Sequence, residues 1–470
     1  MLLPPGLALK LDPAVRRPRP NVVVGGNPLR VLRLTPAGAG LVDAWARGGP
    51  VGAGPGAQAL ARRLLDAGMA HPRPGGTAHP GPEDATVVIP VRDDPDGLVA
   101  SLNGIGRAGA VIVVDDGSRP GISETATGSA TLLRRAVPGG PAAARNTGWR
   151  RAATDIVAFL DADCVPATGW LDTLLAHFAD PSVVAVAPRI RARAGPATPG
   201  WLAAYERRRS SLDLGPREAL VRPGSPVSYV PTAALAVRRT ALSELGGFDE
   251  DLRFGEDVDL VWRLAKNGGR IRYDPSVTVS HPTRKTVTAW IRQRFQYGWS
   301  ASALASRHGP DVAPAAMNVW SAGAWSLALA GHPGAGLGVA LATSAALARR
   351  AGADRSTALT LASLALQGHL QAGLSLAGAV RRAWLPPALA AAVIAGRRHR
   401  YSFLPSALVA ALTAPPAAEW VSAAADNGLL TWLGLRLVDD LAYQAGVWSG
   451  CVSARSAGAL MPRLSGFKPW

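Results

Sequence analysis

Phe159-Leu160-Asp161-Ala162-Asp163-Cys164 decides how this chain is to be read. Ile156, Val157 and Ala158 precede it, so an uninterrupted apolar run ends in two acids spaced i, i+2. Such a run predicts a strand buried on both faces. Its carboxylates then emerge at the carboxyl end of the strand, where open α/β sheets bind ligands. Two carboxylates so placed repel each other unless a cation lies between them. Hard ions such as Mg²⁺ or Mn²⁺ take oxygen ligands and bridge to phosphates. The plainer alternative is a helix N-cap followed by a solvated turn acid, and Asp-x-Asp alone does not choose between the two.

The neighbouring segments tip the choice. Thr86 to Val91 is a second apolar run, followed by Arg92-Asp93-Asp94-Pro95 and apolar residues at helical spacing, Leu98, Leu102 and Ile105. Val111 to Val114 is a third, ending in Asp115-Asp116-Gly117-Ser118, and a helix is expected to start in Gly139 to Gly148. Strands alternating with helices predict βαβ units and a mostly parallel sheet. The polar residues at these element ends suit a nucleotide diphosphate. A carboxylate such as Asp115 or Asp116 only accepts hydrogen bonds, which matches a uracil N–H and ribose hydroxyls. Arg145 at a helix start can pair bidentately with a phosphate or brace a metal-binding acid. The alternatives are simple turn acids and a surface arginine.

A second acidic cluster follows Gly246-Gly247-Phe248-Asp249-Glu250: Glu256-Asp257-Val258-Asp259 at a predicted helix start. The helix dipole favours acids there whatever their role. The functional reading is a general base, because a sugar hydroxyl is a poor nucleophile at neutral pH. His281 closes a strand-like run, Val277 to Ser280, and a neutral imidazole can complete a metal's coordination shell.

Ile89-Pro90-Val91, Val114-Asp115-Asp116-Gly117-Ser118, Arg145-Asn146-x-Gly148, Asp161-Ala162-Asp163, Gly246-Gly247-Phe248-Asp249 and Glu256-Asp257 occur in an order that resembles the family 2 glycosyltransferases. The resemblance covers roughly residues 84 to 300. It implies a GT-A fold, a nucleotide-sugar donor, a divalent ion (Mg²⁺ or Mn²⁺) and inversion at the sugar carbon. It also implies roles: Pro90, Arg92, Asp115, Asp116, Arg145 and Asp161 at the nucleotide sugar, Asp163, Asp161 and His281 at the metal, and Asp257 with Glu256 at the catalytic base. The processive members carry Gln-x-x-Arg-Trp after this region. Here Gln293-Arg294-Phe295-Gln296-Tyr297 departs from it, which speaks against a long-chain polymerase.

Leu3-Pro4-Pro5-Gly6, the Val24 to Arg30 segment and the hydrophobic tail narrow the likeness. Within the family the whole chain resembles the glycosyltransferases of the mycofactocin system. That implies a UDP-glucose donor and a small peptide-derived redox cofactor as acceptor, decorated with β-linked glucose. A transferase acting on a polyprenyl phosphate or a cell-wall glycan is the alternative of the same fold. A nucleotide-sugar-binding scaffold is the non-enzyme alternative, and the metal acids together with Glu256-Asp257 speak against it.

Three domains are expected: 1–82, 83–310 and 311–470. The first reads as a small α+β domain of winged-helix type. Short strands precede a helix with Thr35 as N-cap and Pro36 as first helical residue, a second helix covers Ala57 to Gly68, and a linker runs from Pro72 to Pro82. Its outline resembles small peptide-recognising domains, with a structural cap on the next domain as the plainer role. In the last domain, Val312 to Ala348 and Ser356 to Val380 contain no Asp, Glu, Lys or Arg. Runs of that length exceed the ~20 residues that cross a bilayer, but His332-Pro333, Gln367, His369 and Gln371 interrupt them. Nine of the fourteen tryptophans lie from Trp290 onward, as an interfacial belt or a sugar-stacking surface would require. Arg349-Arg350, Arg381-Arg382 and Arg397-Arg398-His399-Arg400 suit an anionic leaflet. Membrane association is therefore expected, with a buried helical bundle as the alternative.

The chain of 470 residues has a net charge of +17, which favours an anionic partner. The arginines are scattered and no aromatic-interleaved basic motif occurs, so nucleic acid is not expected. Two cysteines, Cys164 and Cys451, exclude a disulfide framework and a cysteine zinc site. No signal-peptide pattern opens Met1 to Lys10, so the site is expected to face the cytoplasm.

Overall fold

All five residues of Ile156–Leu160 are buried in a strand, and the acids stand beyond its end. The computed structural model describes residues 2–76, 78–195, 197–350, 354–398 and 403–466. They group into two units, Met1–Pro196 with Arg209–Thr283, and Ala197–Arg208 with Arg284–Trp470.

The first unit opens with strands β1 (Ala8–Leu11), β2 (Arg16–Arg19), β3 (Val22–Gly25) and β4 (Arg30–Arg33), helices α1 (Pro36–Ala46) and α2 (Pro55–Asp66), and strand β5 (Ala70–Arg73). β2, β3 and β4 form an antiparallel sheet, and β1 pairs with β5. Thr35 caps α1 by accepting from the Gly38 N–H at 3.1 Å. The linker expected from Pro72 starts later, because Pro72 and Arg73 complete β5; a proline is tolerated there since β5 has a single neighbour. The small domain is clamped to the larger sheet that follows. Arg62 of α2 donates to both oxygens of Asp180 at 2.8 and 3.0 Å, Arg270 to both of Asp66 at 2.5 and 2.7 Å, and Arg73 to both of Glu218 at 2.7 and 2.6 Å.

The larger domain runs β6 (Ala85–Val91), α3 (Pro95–Ile105), β7 (Ala110–Asp115), α4 (Glu124–Thr127), β8 (Thr131–Arg134), α5 (Gly140–Arg151) and β9 (Ile156–Leu160). It continues with β10 (Val165–Pro166), α6 (Trp170–Ala176), β11 (Val183–Arg193), α7 (Gly200–Arg209), β12 (Ala219–Val221), β13 (Ala234–Arg238), α8 (Arg239–Leu245), α9 (Glu256–Lys266) and β14 (Arg270–Pro282). Its nine-stranded sheet has the order β10-β14-β11-β13-β9-β6-β7-β8, with β12 on β14. The pairs among β8, β7, β6 and β9 are parallel, as alternation of strands and helices requires. Beyond β9 the sheet is mixed rather than mostly parallel. β13 returns antiparallel beside β9, and β12 and β10 run antiparallel on β14. This is the GT-A architecture. Gly148 sets how α5 lies on it: a Cβ there would stand 2.3 Å from Val88 Cγ1 of β6.

The second unit holds most of α7, then α10 (Val287–His308), β15 (Ala316–Asn318), α11 (Val319–Leu329), α12 (Pro333–Arg350), α13 (Arg355–Ala379), α14 (Leu385–Arg398), α15 (Leu404–Ala423), α16 (Leu429–Ser453) and β16 (Arg463–Ser465). The boundary expected at residue 310 therefore falls at Thr283, and α10 belongs with the tail helices. Glycines cause this. A Cβ on Gly298 of α10 would lie 1.9 Å from the Tyr443 carbonyl oxygen of α16, and one on Gly446 would lie 2.0 Å from that of Phe295. The two helices thus meet backbone to backbone. Arg294 is buried between them, paired with Glu206 and with Asp439 at 3.1 Å. Arg294, one of the two residues between Gln293 and Gln296, is therefore spent inside the helical unit.

The charge-free run Val312 to Ala348 is divided among β15, α11 and α12, with the break at His332-Pro333. Among the described residues no helix is long and apolar enough to cross a membrane. His399 and Arg400 of the last arginine cluster lie outside the described residues.

Candidate functional site

Past β9 the chain turns at once. The Asp161 N–H donates to the Ala233 carbonyl at 3.0 Å, and the Cys164 N–H donates to the Asp161 carbonyl at 3.0 Å. The turn leads into β10, which pairs with β14 so that Val165 faces Ser280. Extending that register by one or two residues sets His281 beside Asp163. Their Nε2 and Oδ2 atoms lie 3.6 Å apart, with side chains 12% and 27% exposed. The separation is too long for a hydrogen bond. It suits two ligands of one divalent ion, each about 2.1 Å from it.

Asp161 is turned the other way. Its Oδ1 accepts from Arg145 Nη2 at 2.7 Å, and Nη1 of the same arginine donates to Glu256 Oε1 at 3.0 Å. Arg145 is buried on α5 and thus joins the acid at the end of β9 to the acid at the start of α9. Burial alone would loosen its proton, but the charges of Asp161 and Glu256 outweigh burial and hold it more firmly than usual. Its guanidinium also lies 5.6 Å from the centre of the Phe248 ring.

The first two acids of α9, Glu256 and Asp257, are differentiated by these contacts. Glu256 is committed to Arg145. Asp257 is half-buried, and burial together with the charge of Glu256 pushes its pKa up to about 7, against the opposing pull of the Val258 N–H and Arg145. Neighbouring carboxyls whose environments separate their protonation are the usual mark of divided acid–base roles. Gly255 precedes them at φ +83°, a conformation that favours glycine.

Asn146 holds this arrangement together. Its amide donates to the Phe248 carbonyl at 2.9 Å and to Glu250 Oε1 at 2.7 Å, and its oxygen accepts from Trp149 Nε1 at 2.8 Å and the Phe248 N–H at 2.9 Å. All its hydrogen-bonding groups are used, three bonds tying α5 to the Gly246–Glu250 turn and one holding Trp149 on α5 itself. Gly247 in that turn has φ +82°, and a Cβ there would come within 2.4 Å of Asn146 Oδ1. From the other side Asp259 accepts from Arg263 Nε at 2.7 Å, and Arg263 Nη2 donates to the Gly247 carbonyl at 2.8 Å. The sequence alone assigns no role to Asn146 or Arg263; their signals are Arg145-Asn146-x-Gly148 and the i, i+4 spacing of Asp259 and Arg263.

Asp115 and Asp116, expected at the nucleotide, stand at the end of β7. Both are buried and bond to the protein's own loops. Asp115 accepts from the N–H groups of Ser118 at 2.8 Å and Ile122 at 3.1 Å. Burial would raise its pKa, but these bonds, the Ser118 hydroxyl and Arg134 hold it below the usual carboxylate range. Asp116 accepts from Arg135 Nε at 2.8 Å and from the first N–H groups of α5, Gly139 at 2.9 Å and Gly140 at 2.7 Å. In this state they shape the loop after β7 and the start of α5. Pro90 is half-buried on β6, and Arg92 is exposed beside Asp93, 3.6 Å away. The Asp93 N–H donates to Ser118 Oγ at 3.0 Å, and Asp93 Oδ1 accepts from the Arg119 N–H at 2.8 Å, so the loops after β6 and β7 are tied together.

Among the described residues no group of three or more His, Cys, Asp or Glu is assembled to hold a metal alone. Asp163 and His281 would supply two ligands and leave the rest of a coordination sphere to phosphate oxygens and water, which is how Mg²⁺ and Mn²⁺ sites on phosphate substrates are built. The donor set fits such an ion.

The family model of Glycosyl transferase family 2 matches residues 86–246. Over 484 aligned residues the chain is 43% identical to the Pre-mycofactocin glycosyltransferase of Mycobacterium tuberculosis, covering 98% of each. It is 28% identical to Glycosyltransferase AglE of Haloferax volcanii over 45% of this chain and 71% of that one. Among solved structures, the mannosyltransferase PcManGT of Pyrobaculum calidifontis, in complex with GDP-Man and Mn2+, aligns at 23% identity with a TM-score of 0.38, over 75% of this chain and 91% of that one.

Proposed function

The chain belongs to glycosyl transferase family 2, and from this premise we propose that it transfers glucose from UDP-glucose, with inversion, to a hydroxyl of pre-mycofactocin. The acceptor follows the relative that is similar over nearly the whole length of both chains. The observation that carries the chemistry is Arg145, which links Asp161 at the end of β9 to Glu256 beside the half-buried Asp257.

Asp257 takes the proton of the acceptor hydroxyl as that oxygen attacks the anomeric carbon. A pKa near 7 is matched to this work, since a base is most effective when it titrates near the working pH. Arg145 fixes the distance between the donor acids and the base, and Asn146 fixes the turn that carries the base helix. A divalent ion held by Asp163 and His281, with Asp161 beside them, would take up charge on the departing diphosphate.

The test is a product mass spectrum with a panel of sugar nucleotides and two acceptors, pre-mycofactocin and a polyprenyl phosphate. A hexose added to pre-mycofactocin from UDP-glucose is the expected result. Transfer to the polyprenyl phosphate with the peptide-derived acceptor untouched would replace the proposal with a lipid-linked one.

A further inference from the structure

The large apolar side chains left exposed are unevenly distributed. Among the described residues, Leu2, Val99 and Val137 are the ones that lie in the first unit, and every other belongs to the second. On three consecutive helices they recur at i, i+4: Leu337 and Leu341 on α12, Leu370 and Leu374 on α13, Leu389 and Val393 on α14. These six are between 47% and 63% exposed. Residues four apart lie one above the other on a helix, so each helix turns an apolar stripe outward.

The charges on these helices all have one sign. α12, α13 and α14 contain no Asp or Glu. Exposed arginines stand at their ends: Arg349 near the end of α12, Arg355 at the start of α13, and Arg397 four residues after Val393 on α14. An outward apolar stripe with a terminal arginine is the pattern of a helix lying in the plane of a lipid surface, its stem packed on the acyl boundary and its guanidinium on the headgroups. A second copy of this chain fits the same surface poorly. A two-fold pairing of these helices would set arginine-tipped stripes together, and the nearest acid, Asp354, is used in capping α13.

We propose that α12, α13 and α14 dock the protein on an anionic lipid surface without crossing it. The stripes supply apolar burial and the arginines supply attraction to anionic headgroups, which is screened by salt. This surface lies outside the residues assigned to sugar transfer, so its failure and the failure of the proposed reaction are separable.

The test is flotation of the full-length protein with phosphatidylglycerol–phosphatidylcholine vesicles and with pure phosphatidylcholine vesicles. Two double variants accompany it, Leu370→Glu/Leu374→Glu and Arg355→Glu/Arg397→Glu, with thermal unfolding and UDP binding as folding controls. The wild type is expected to float with the anionic vesicles. The leucine variant should lose about tenfold or more of that binding, and the arginine variant should lose the preference for anionic lipid. A wild type that stays out of both vesicle fractions overturns the proposal. So does a leucine variant that floats like the wild type, or one whose sole effect is to turn a dimer into a monomer.

Discussion

Replacing Glu256 by Gln should move the pH profile of transfer without dismantling the site. The amide oxygen can still accept from Arg145, now 3.0 Å from Glu256 Oε1, so the brace to Asp161 is kept. What changes is charge. Glu256 raises the pKa of Asp257, and Arg145 lowers it. With Glu256 neutral, its repulsion disappears and Arg145 acts on Asp257 less compensated, so both changes lower the pKa. A unit charge roughly 6 Å away at an effective dielectric near 20 is worth roughly 2–3 kcal/mol, or about two pKa units. Water reaching the half-buried Asp257 reduces this to about one unit. The base must be ionised to act, so transfer falls as pH drops through its pKa. Wild type, with Asp257 near 7, should lose about tenfold per pH unit below that point. The variant should keep its plateau down to about pH 6 before falling. The assay is kcat/KM from pH 5 to 9 at saturating metal. An acid limb that stays in place, or moves upward, would refute the assignment of Asp257 as the titrating base.

Asp163→Asn and His281→Gln should each weaken metal-dependent UDP binding while leaving thermal unfolding unchanged; calorimetry showing equal UDP affinity with and without chelator would count against the metal site. Asn146→Ala should lower kcat more than it changes KM for the donor, because it loosens the turn carrying the base helix rather than the nucleotide loops, with Asn146→Asp restoring little because two of its bonds need donors. Arg272→Met should stabilise the protein by on the order of 1–2 kcal/mol. The guanidinium is buried, its three nitrogens have no hydrogen-bond partner among the described residues, and burial pulls its pKa down to about 10 against the attraction of Asp180 and Asp66. A fall in Tm for that variant would mean the through-space attraction outweighs desolvation.

The strand ending at Asp161 and the acids at element ends could be read directly, because a buried parallel strand leaves an unbroken apolar run and its polar residues collect where it stops. Asp163 and Glu256-Asp257 stand out in the same way. Their partners do not: His281 is tied to Asp163 in the sequence by the family resemblance alone. His281 meets Asp163 only through the antiparallel register of β10 on β14, which no local pattern encodes. Asp115 and Asp116 show the opposite limit. A turn acid can accept from a ligand or from its own loop, and only the folded backbone shows that the N–H groups of Ser118, Ile122, Gly139 and Gly140 are in reach. The grouping of α10 with the tail helices has a similar cause. Gly298 looks like an ordinary glycine in a helix until Tyr443, far along the chain, is brought against it.

The most direct measurement compares wild type and Asp257→Asn in transfer of glucose to pre-mycofactocin, with UDP binding measured on the same preparations. Asparagine keeps the size and position of the side chain but cannot take the proton. The account predicts unchanged donor binding and transfer lowered by a factor on the order of 10² to 10⁴. Near-normal transfer by the variant would contradict it and move the base to another group.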